Sequence, residues 1–289
     1  MKQLRFNLFK EIPYVSQTFI SLEGEGINVG EPSLYIRLAG CYSAACRFCD
    51  TKFSWYKKEK YSRLVEFESL DKKIIYSPGK WFAEIKKEQE KYSNRIIERI
   101  TITGGEPLHY IETINLLTKV LPEMYIENNI NVKLLGIESN GNLLSSIDNV
   151  LKTIKTFKDF EKSQITPHLT ISPKIDSDSC YENQLTQAEV NNMYKKVYYN
   201  LENYFPYENY YKFVWGVNDK MNNLIFEHLE ELDKLNVQKN HIFLMPFTPK
   251  DPLGKNKEIW EKSKDETARK ALSLGIRYSP RIHIDRKLD

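Results

Sequence analysis

Short apolar runs separated by longer stretches with helical spacing constrain this chain more than any other feature. The runs predict strands over 33–39, 98–103, 131–138, 168–172, 210–216, 241–246 and 281–284. Each reads as apolar on both faces, which suits strands of a parallel sheet covered on both sides by helices. Between them, Trp81–Tyr92, Thr113–Val120, Leu143–Phe157, Glu189–Tyr204, Met221–Leu235 and Lys257–Leu274 carry helical periodicity with charged outer faces. Strand then helix, repeated, is the pattern of right-handed βαβ crossovers. About six such units fall short of the eight that close a (β/α)8 barrel. The expected fold is therefore α/β, an open, partial (β/α)6-type TIM-like barrel with its site at the C-terminal ends of the strands.

A chain of 289 residues, 41% of them hydrophobic, can fill such a core. No repeat, low-complexity tract or Pro/Gly-rich linker divides it, so a single domain over 1–289 is expected. Two segments read as peripheral insertions: 56–80, which is strongly charged, and 176–212, which is rich in Tyr and Asn. Lys+Arg 42 against Asp+Glu 39 leaves a net charge of +3, too balanced to make nucleic acid the leading partner. No run approaches the ~18 apolar residues of a membrane span. The opening MKQLRFNLFKEIPYV also lacks the pattern of a signal peptide, so a cytoplasmic protein is expected.

In a reducing compartment, clustered cysteines point to a metal rather than to disulfides. Three of the four cysteines, Cys41, Cys46 and Cys49, fall in GCYSAACRFCDTKFSW directly after the first apolar run, while Cys180 stands alone and reads as incidental. Three thiolates from one loop can hold a [4Fe–4S] cluster and leave its fourth iron open. They can equally complete a zinc site with a distant His, or be three incidental thiols. After the second run comes ITITGGEPLHY. Its Gly-Gly pair allows close approach to the backbone, and Glu106 offers a carboxylate to a cation such as an amino acid's ammonium. An ordinary turn with Pro107 opening a helix is the plainer alternative.

Taken together, these motifs resemble the radical S-adenosylmethionine (SAM) superfamily. The pattern narrows to that of the 7-carboxy-7-deazaguanine synthase family, carried by SLEGEG at Ser21–Gly26, Arg37 four residues before Cys41, and CDT at Cys49–Thr51. Further matches are TGGEP at Thr103–Pro107, ESNG at Glu138–Gly141, SPK at Ser172–Lys174, KFV at Lys212–Val214, LMP at Leu244–Pro246 and SPRIHI at Ser279–Ile284. They run in the family's order along nearly the whole chain.

The resemblance implies a carbon–nitrogen lyase of 7-deazapurine (queuosine-type) biosynthesis. It would convert 6-carboxy-5,6,7,8-tetrahydropterin to 7-carboxy-7-deazaguanine by radical ring contraction with loss of ammonia. The chemistry would come from a SAM-derived 5′-deoxyadenosyl radical, with no catalytic side chain of the protein's own. Implied cofactors are a [4Fe–4S] cluster on Cys41, Cys46 and Cys49, SAM, and Mg²⁺ on Thr51. By the same resemblance, SAM would be held by Gly105, Glu106, Glu138, Ser139, Asn140, Ser172, Pro173, Lys174, Met245, Pro246, Phe247 and Thr248. The pterin would lie on Leu22, Glu23, Gly24, Glu25, Arg37 and Thr103, with Arg37 meeting its carboxylate. An electron donor such as flavodoxin or ferredoxin and a homodimer are implied as partners; a nucleic acid or a membrane is not.

The chain departs from the family pattern in three places. The cysteine spacing is one residue longer between Cys41 and Cys46, and the expectation is that Tyr42–Ala45 absorbs it as a bulge. Glu23 stands where the family has Gln, and the C-terminus continues to RKLD. A radical SAM enzyme for another substrate, such as an activase or a peptide-modifying enzyme, would have no reason to keep Leu22–Gly26, Arg37 and Thr51 together. A non-catalytic zinc module would be colourless where a cluster is brown.

Overall fold

The computed structural model describes residues 12–41, 46–70, 73–91, 96–128, 130–181 and 184–288. In chain order the strands are β1 (Tyr14–Leu22), β2 (Pro32–Ala39), β3 (Ser62–Arg63), β4 (Val65–Leu70), β5 (Lys73–Pro78), β6 (Ile97–Gly104), β7 (Ile130–Ser139), β8 (Thr166–Ile171), β9 (Asn209–Trp215), β10 (Ile242–Pro246) and β11 (Arg277–Tyr278). The helices are α1 (Phe82–Lys91), α2 (Ile111–Ile114), α3 (Leu117–Asn128), α4 (Ile147–Lys162), α5 (Ser177–Cys180), α6 (Gln187–Tyr204), α7 (Asp219–Lys234), α8 (Lys257–Leu274) and α9 (Ile282–Arg286). One sheet has the order β11-β10-β9-β8-β7-β6-β2-β1-β3, and β4–β5 form a separate hairpin. From β2 to β11 every neighbouring pair is parallel, whereas β1 is antiparallel to β2 and β3 to β1. The sheet is open: β3 and β11 are its two ends, and the six strands β2 and β6–β10 follow in order with helices between them, as the open-barrel reading expects.

The register separates two faces. Ile36, Ile102, Ile137 and Leu169 lie side by side across β2, β6, β7 and β8, and all four are fully buried. Each such side chain contributes roughly 1.5–3 kcal/mol by leaving water. One residue further along, Arg37, Thr103 and Glu138 face a common cavity instead. The strands therefore alternate, apolar outward and polar inward, and are not apolar on both faces as their composition suggests. Thr101 and Thr103 account for the misreading, because a β-branched Thr suits a strand whichever face it occupies.

The peripheral status expected for 176–212 is corrected. Its core is α6, the crossover between β8 and β9, opened by a Thr186–Glu189 capping box. Tyr194 and Tyr198 on α6 are fully buried, so the Tyr-rich composition belongs to core packing. In 56–80, β3 extends the main sheet and Leu64 and Val65 are fully buried, so this segment too is partly integral. β1 lies outside the expected strands because Ser16, Gln17 and Thr18 interrupt its apolar run. The strand expected at 281–284 is instead α9, and β11 takes the last place in the sheet. Ile282 N–H donates to the Gly24 carbonyl at 3.2 Å, which turns this segment across the barrel rather than along it.

Between α6 and α7, the Tyr198 hydroxyl and His228 Nδ1 are 2.9 Å apart and both side chains are buried. Burial lowers the His228 pKa to about 4, and that of His168 likewise. The unfolded chain then binds more protons than the folded one between about pH 4 and pH 6.5, so stability present above pH 6.5 is lost as pH falls through that window. Each histidine is worth about 3 kcal/mol at the neutral end. Unfolding midpoints should fall on acidification from pH 7 to pH 4.5, and less so in His228→Gln; equal slopes would contradict this.

Candidate active site

At the C-terminal ends of the parallel strands lies a cavity of about 440 Å³ whose wall runs from β1 through β10 to the chain's last turn. That one cavity meets β1 and β10 means that the open sheet curls around it. The Gly-Gly pair fixes one corner. A Cβ on Gly105 would sit 2.1 Å from the Gly40 carbonyl, and Gly104 has φ +109°. Gly105 N–H donates to the Leu38 carbonyl at 2.9 Å and Glu106 N–H to that of Gly40 at 2.7 Å. The close approach that these glycines allow is made by the backbone leading into the cysteine loop.

Cys41, Cys46 and Cys49 all line the cavity. The turn at Lys52–Ser54 holds their loop, with Cys41 N–H donating to the Trp55 carbonyl at 3.0 Å and Trp55 Nε1–H to Cys49 Sγ at 3.3 Å. Cys180, read as incidental, is fully buried against Cys46, the two segments being joined by Arg47 N–H to the Ser179 carbonyl at 2.8 Å. The Cys180 hydrogen bond, helped by Lys174 against burial, brings the Cys46 thiol down to about 7. Among the described residues no three His, Cys, Asp or Glu side chains converge to hold a single ion. The donor set on the wall is three thiols without a fourth, since Cys180 lies behind it. Three thiols on one lining fit a polynuclear group with one open position, and His283 lines the same cavity. The bulge expected at Tyr42–Ala45 lies outside the described residues.

The ends of β6, β7, β8 and β10 supply the adjoining wall: Gly105, Glu106, Glu138, Ser139, Asn140, Ser172, Lys174 and Met245–Thr248 all line it. Pro173 is buried and does not. The Glu106 carboxylate, expected to reach a cation, is itself buried and accepts from Ser139 Oγ at 2.6 Å, Asn140 N–H at 2.8 Å and Leu108 N–H at 3.0 Å. Burial raises its pKa against these bonds, and its role in the fold is to brace β6 against β7. Tyr194, which the sequence reading passed over, ties the next two loops: Lys174 N–H donates to its hydroxyl at 2.8 Å, and that hydroxyl donates to the Asn140 carbonyl at 3.0 Å.

Of the residues expected to hold substrate or Mg²⁺, Leu22, Glu25, Arg37, Thr51 and Thr103 line the cavity, and Glu23 and Gly24 do not. The Glu23 carboxylate turns under the sheet to accept from Tyr35 Oη at 2.6 Å and from Thr101 Oγ1, and burial raises its pKa. Gly24 makes room for His283, whose ring a Cβ there would strike. Glu25 bonds Lys212 Nζ at 2.6 Å and Arg281 Nε at 2.8 Å. Burial would raise its pKa, but these two cations hold the carboxyl well below the usual range. Lys212, 3% exposed, also pairs with Glu138 at 3.0 Å. Glu138 thus faces the Glu25 side as well, with Thr103 Oγ1 at 3.5 Å.

Arg37 is half-buried. Its Nε donates to Gln17 Oε1 at 3.2 Å, and its guanidinium lies 5.7 Å from the Phe19 ring and 6.0 Å from the Phe53 ring. Among the described residues no carboxylate reaches it at ion-pair distance. Among the described residues, therefore, no internal salt bridge accounts for this arginine, and Asp50 feels its charge only as a minor contribution. Lys212, Arg281 and Asp50 belong to the same wall and were missed as site residues, although KFV, SPRIHI and CDT had marked their neighbourhoods.

Fold and site thus define the class: an open parallel α/β sheet with a thiol-lined cavity at its strand ends. Within that class the chain is related to curated proteins named 7-carboxy-7-deazaguanine synthase. It is 30% identical over 185 residues to the one from Clostridium acetobutylicum, covering 63% of this chain and 64% of that protein. It is 36% identical over 98 residues to that of Escherichia coli K12, covering 32% and 41%. It is 36% identical over 94 residues to that of Pyrobaculum aerophilum, covering 32% and 33%. The chain thus spans less than two thirds of the length of these relatives. No family model matches. A crystal structure of QueE from Escherichia coli aligns with a TM-score of 0.47 at 19% identity, over 96% of this chain and 97% of that one.

Proposed function

We propose that this protein is a radical SAM enzyme that contracts 6-carboxy-5,6,7,8-tetrahydropterin to 7-carboxy-7-deazaguanine with release of ammonia. The observation that carries the reading is Arg37, a cation with no carboxylate at ion-pair distance among the described residues, on the lining of the same cavity as Cys41, Cys46 and Cys49. Those three thiols would hold a [4Fe–4S] cluster. With SAM bound, that group supplies the one-electron chemistry that generates a hydrogen-abstracting radical. The chain's own residues bind and aim. Arg37 presents paired donors to the substrate carboxylate, Phe19 and Phe53 flank that position, and the loops braced by Glu106 and Tyr194 form the SAM wall. Glu25, kept ionised by Lys212 and Arg281, offers an acceptor to the donor-rich aminopyrimidinone edge.

Thr51, 3.6 Å from Cys49 Sγ, would place Mg²⁺ beside the substrate, with water and substrate oxygens completing its shell. A cytoplasmic setting, a flavodoxin or ferredoxin as electron donor and a homodimer complete the reading. Among the described residues no helix is long and apolar enough to cross a membrane. In a turnover assay Thr51→Ala should lose at least about tenfold in rate and most of its response to added Mg²⁺, while still cleaving SAM. Wild-type turnover indifferent to Mg²⁺ removal would overturn this role.

A further inference from the structure

Three ligand-holding segments of the proposed site meet at one side chain from the terminal segment. Arg281 is 11% exposed, and each of its guanidinium nitrogens has a different partner. Nε donates to Glu25 Oε1 at 2.8 Å, Nη1 to Thr248 Oγ1 at 2.6 Å and Nη2 to Asp50 Oδ2 at 2.7 Å. Glu25 belongs to the loop after β1, Thr248 to the loop after β10, and Asp50 lies between Cys49 and Thr51. The segment carrying Arg281 is itself fixed at both ends. Ser279 N–H donates to the Leu244 carbonyl at 2.8 Å, and Ser279 Oγ accepts from Gly26 N–H at 2.8 Å. Beyond it, Asp285 accepts from Trp260 Nε1 at 2.7 Å and Lys264 Nζ at 3.0 Å.

We infer that Arg281 is a positioning residue that couples the two binding sites, so that occupation of the SAM wall at Thr248 sets the substrate loop at Glu25, and the reverse. The inference rests on the functional reading above and adds to it the residue that joins the sites. A planar guanidinium holds three acceptors in fixed directions, which a lysine ammonium on a flexible stem does not. Movement of the Thr248 loop on ligand binding is thereby passed to Glu25 and Asp50 rather than absorbed locally. Coupling of this kind is reciprocal: each ligand raises the other's affinity by the same factor.

The test is a pair of equilibrium titrations on reconstituted protein, with carboxypterin affinity measured with and without SAM, and SAM affinity with and without carboxypterin. Wild type should show a coupling factor of about tenfold in both directions, within the usual range for linked sites. In Arg281→Gln the factor should fall to about one, and Arg281→Lys should retain part of it. In ligand-free protein, exchange of the Gly26 and Ile282 amides should quicken in Arg281→Gln. Should Arg281→Gln fail to fold, Asp50→Asn replaces the charged acceptor of one arm by a neutral amide oxygen at a half-exposed position and should halve the coupling factor. A wild-type coupling factor in the folded Arg281→Gln, or in Asp50→Asn where Arg281→Gln does not fold, would overturn the inference with the functional reading intact. A wild-type protein that binds no carboxypterin would overturn the reading and the inference with it.

Discussion

Replacing Cys46 by alanine should remove most of the iron from the reconstituted protein and all reductive SAM cleavage, whereas Cys180→Ala should keep both. The two residues touch, so the contrast is a strict one: both are buried, both would leave a small void as alanine, and they differ in which side of the cavity wall the sulfur occupies. A cluster held by three thiolates has no spare protein ligand, and losing one leaves two irons without protein sulfur. Cys180→Ala instead removes a hydrogen bond to the Cys46 sulfur, which should shift the optical spectrum and potential of the bound cluster and leave its stoichiometry intact. Iron content by colorimetric assay, with 5′-deoxyadenosine release under dithionite, decides the matter; equal losses at both positions would defeat the ligand assignment.

Arg37→Ala should bind SAM within a few-fold of wild type and lose roughly thirty-fold or more in carboxypterin affinity. Truncating one member of a hydrogen-bonded charge pair costs about 2–5 kcal/mol. The half-burial of Arg37 places it at the lower end, near 2 kcal/mol, because water retains part of the charge's solvation. Arg37→Lys should recover only part, since the paired donors of the guanidinium are lost even though the charge remains. Gln17 bonds the same guanidinium, so Gln17→Ala should have a smaller effect of the same sign. Isothermal titration of each variant with SAM and with carboxypterin separates the outcomes. Unchanged carboxypterin affinity in Arg37→Ala would remove this residue from the substrate site.

The parallel strands were legible because a sheet buried beneath helices writes short, mostly apolar runs between helical stretches, and six of the seven expected strands fall within two residues of their observed ends. The polar inner face was not legible. Arg37 and Lys212 each appear as a single polar residue inside an apolar run, Thr103 and Glu138 stand near the ends of theirs, and only the curl of the sheet brings the four together. Glu23 and Glu106 illustrate the converse: sequence marks a carboxylate near a glycine, but donors from the fold take up both carboxylates, and Glu23 is turned off the cavity lining altogether while Glu106 stays on it. Tyr194 and Arg281 act through long-range contacts, to Asn140 across 54 residues and to Glu25 across 256, that no local pattern records. Tyr-rich composition in 176–212 looked like a solvated insertion because tyrosine suits either a surface or a core, and only packing against His228 and Tyr211 tells them apart.

Anaerobic incubation of the reconstituted protein with SAM, Mg²⁺, a low-potential reductant and 6-carboxy-5,6,7,8-tetrahydropterin, followed by mass analysis, tests the central claim most directly. The expected result is a product lighter than the substrate by one ammonia, matching 7-carboxy-7-deazaguanine, formed only when SAM and reductant are both present. Release of 5′-deoxyadenosine with the pterin left intact would contradict the substrate assignment, and recovery of neither product from iron-loaded protein would contradict the radical SAM assignment itself.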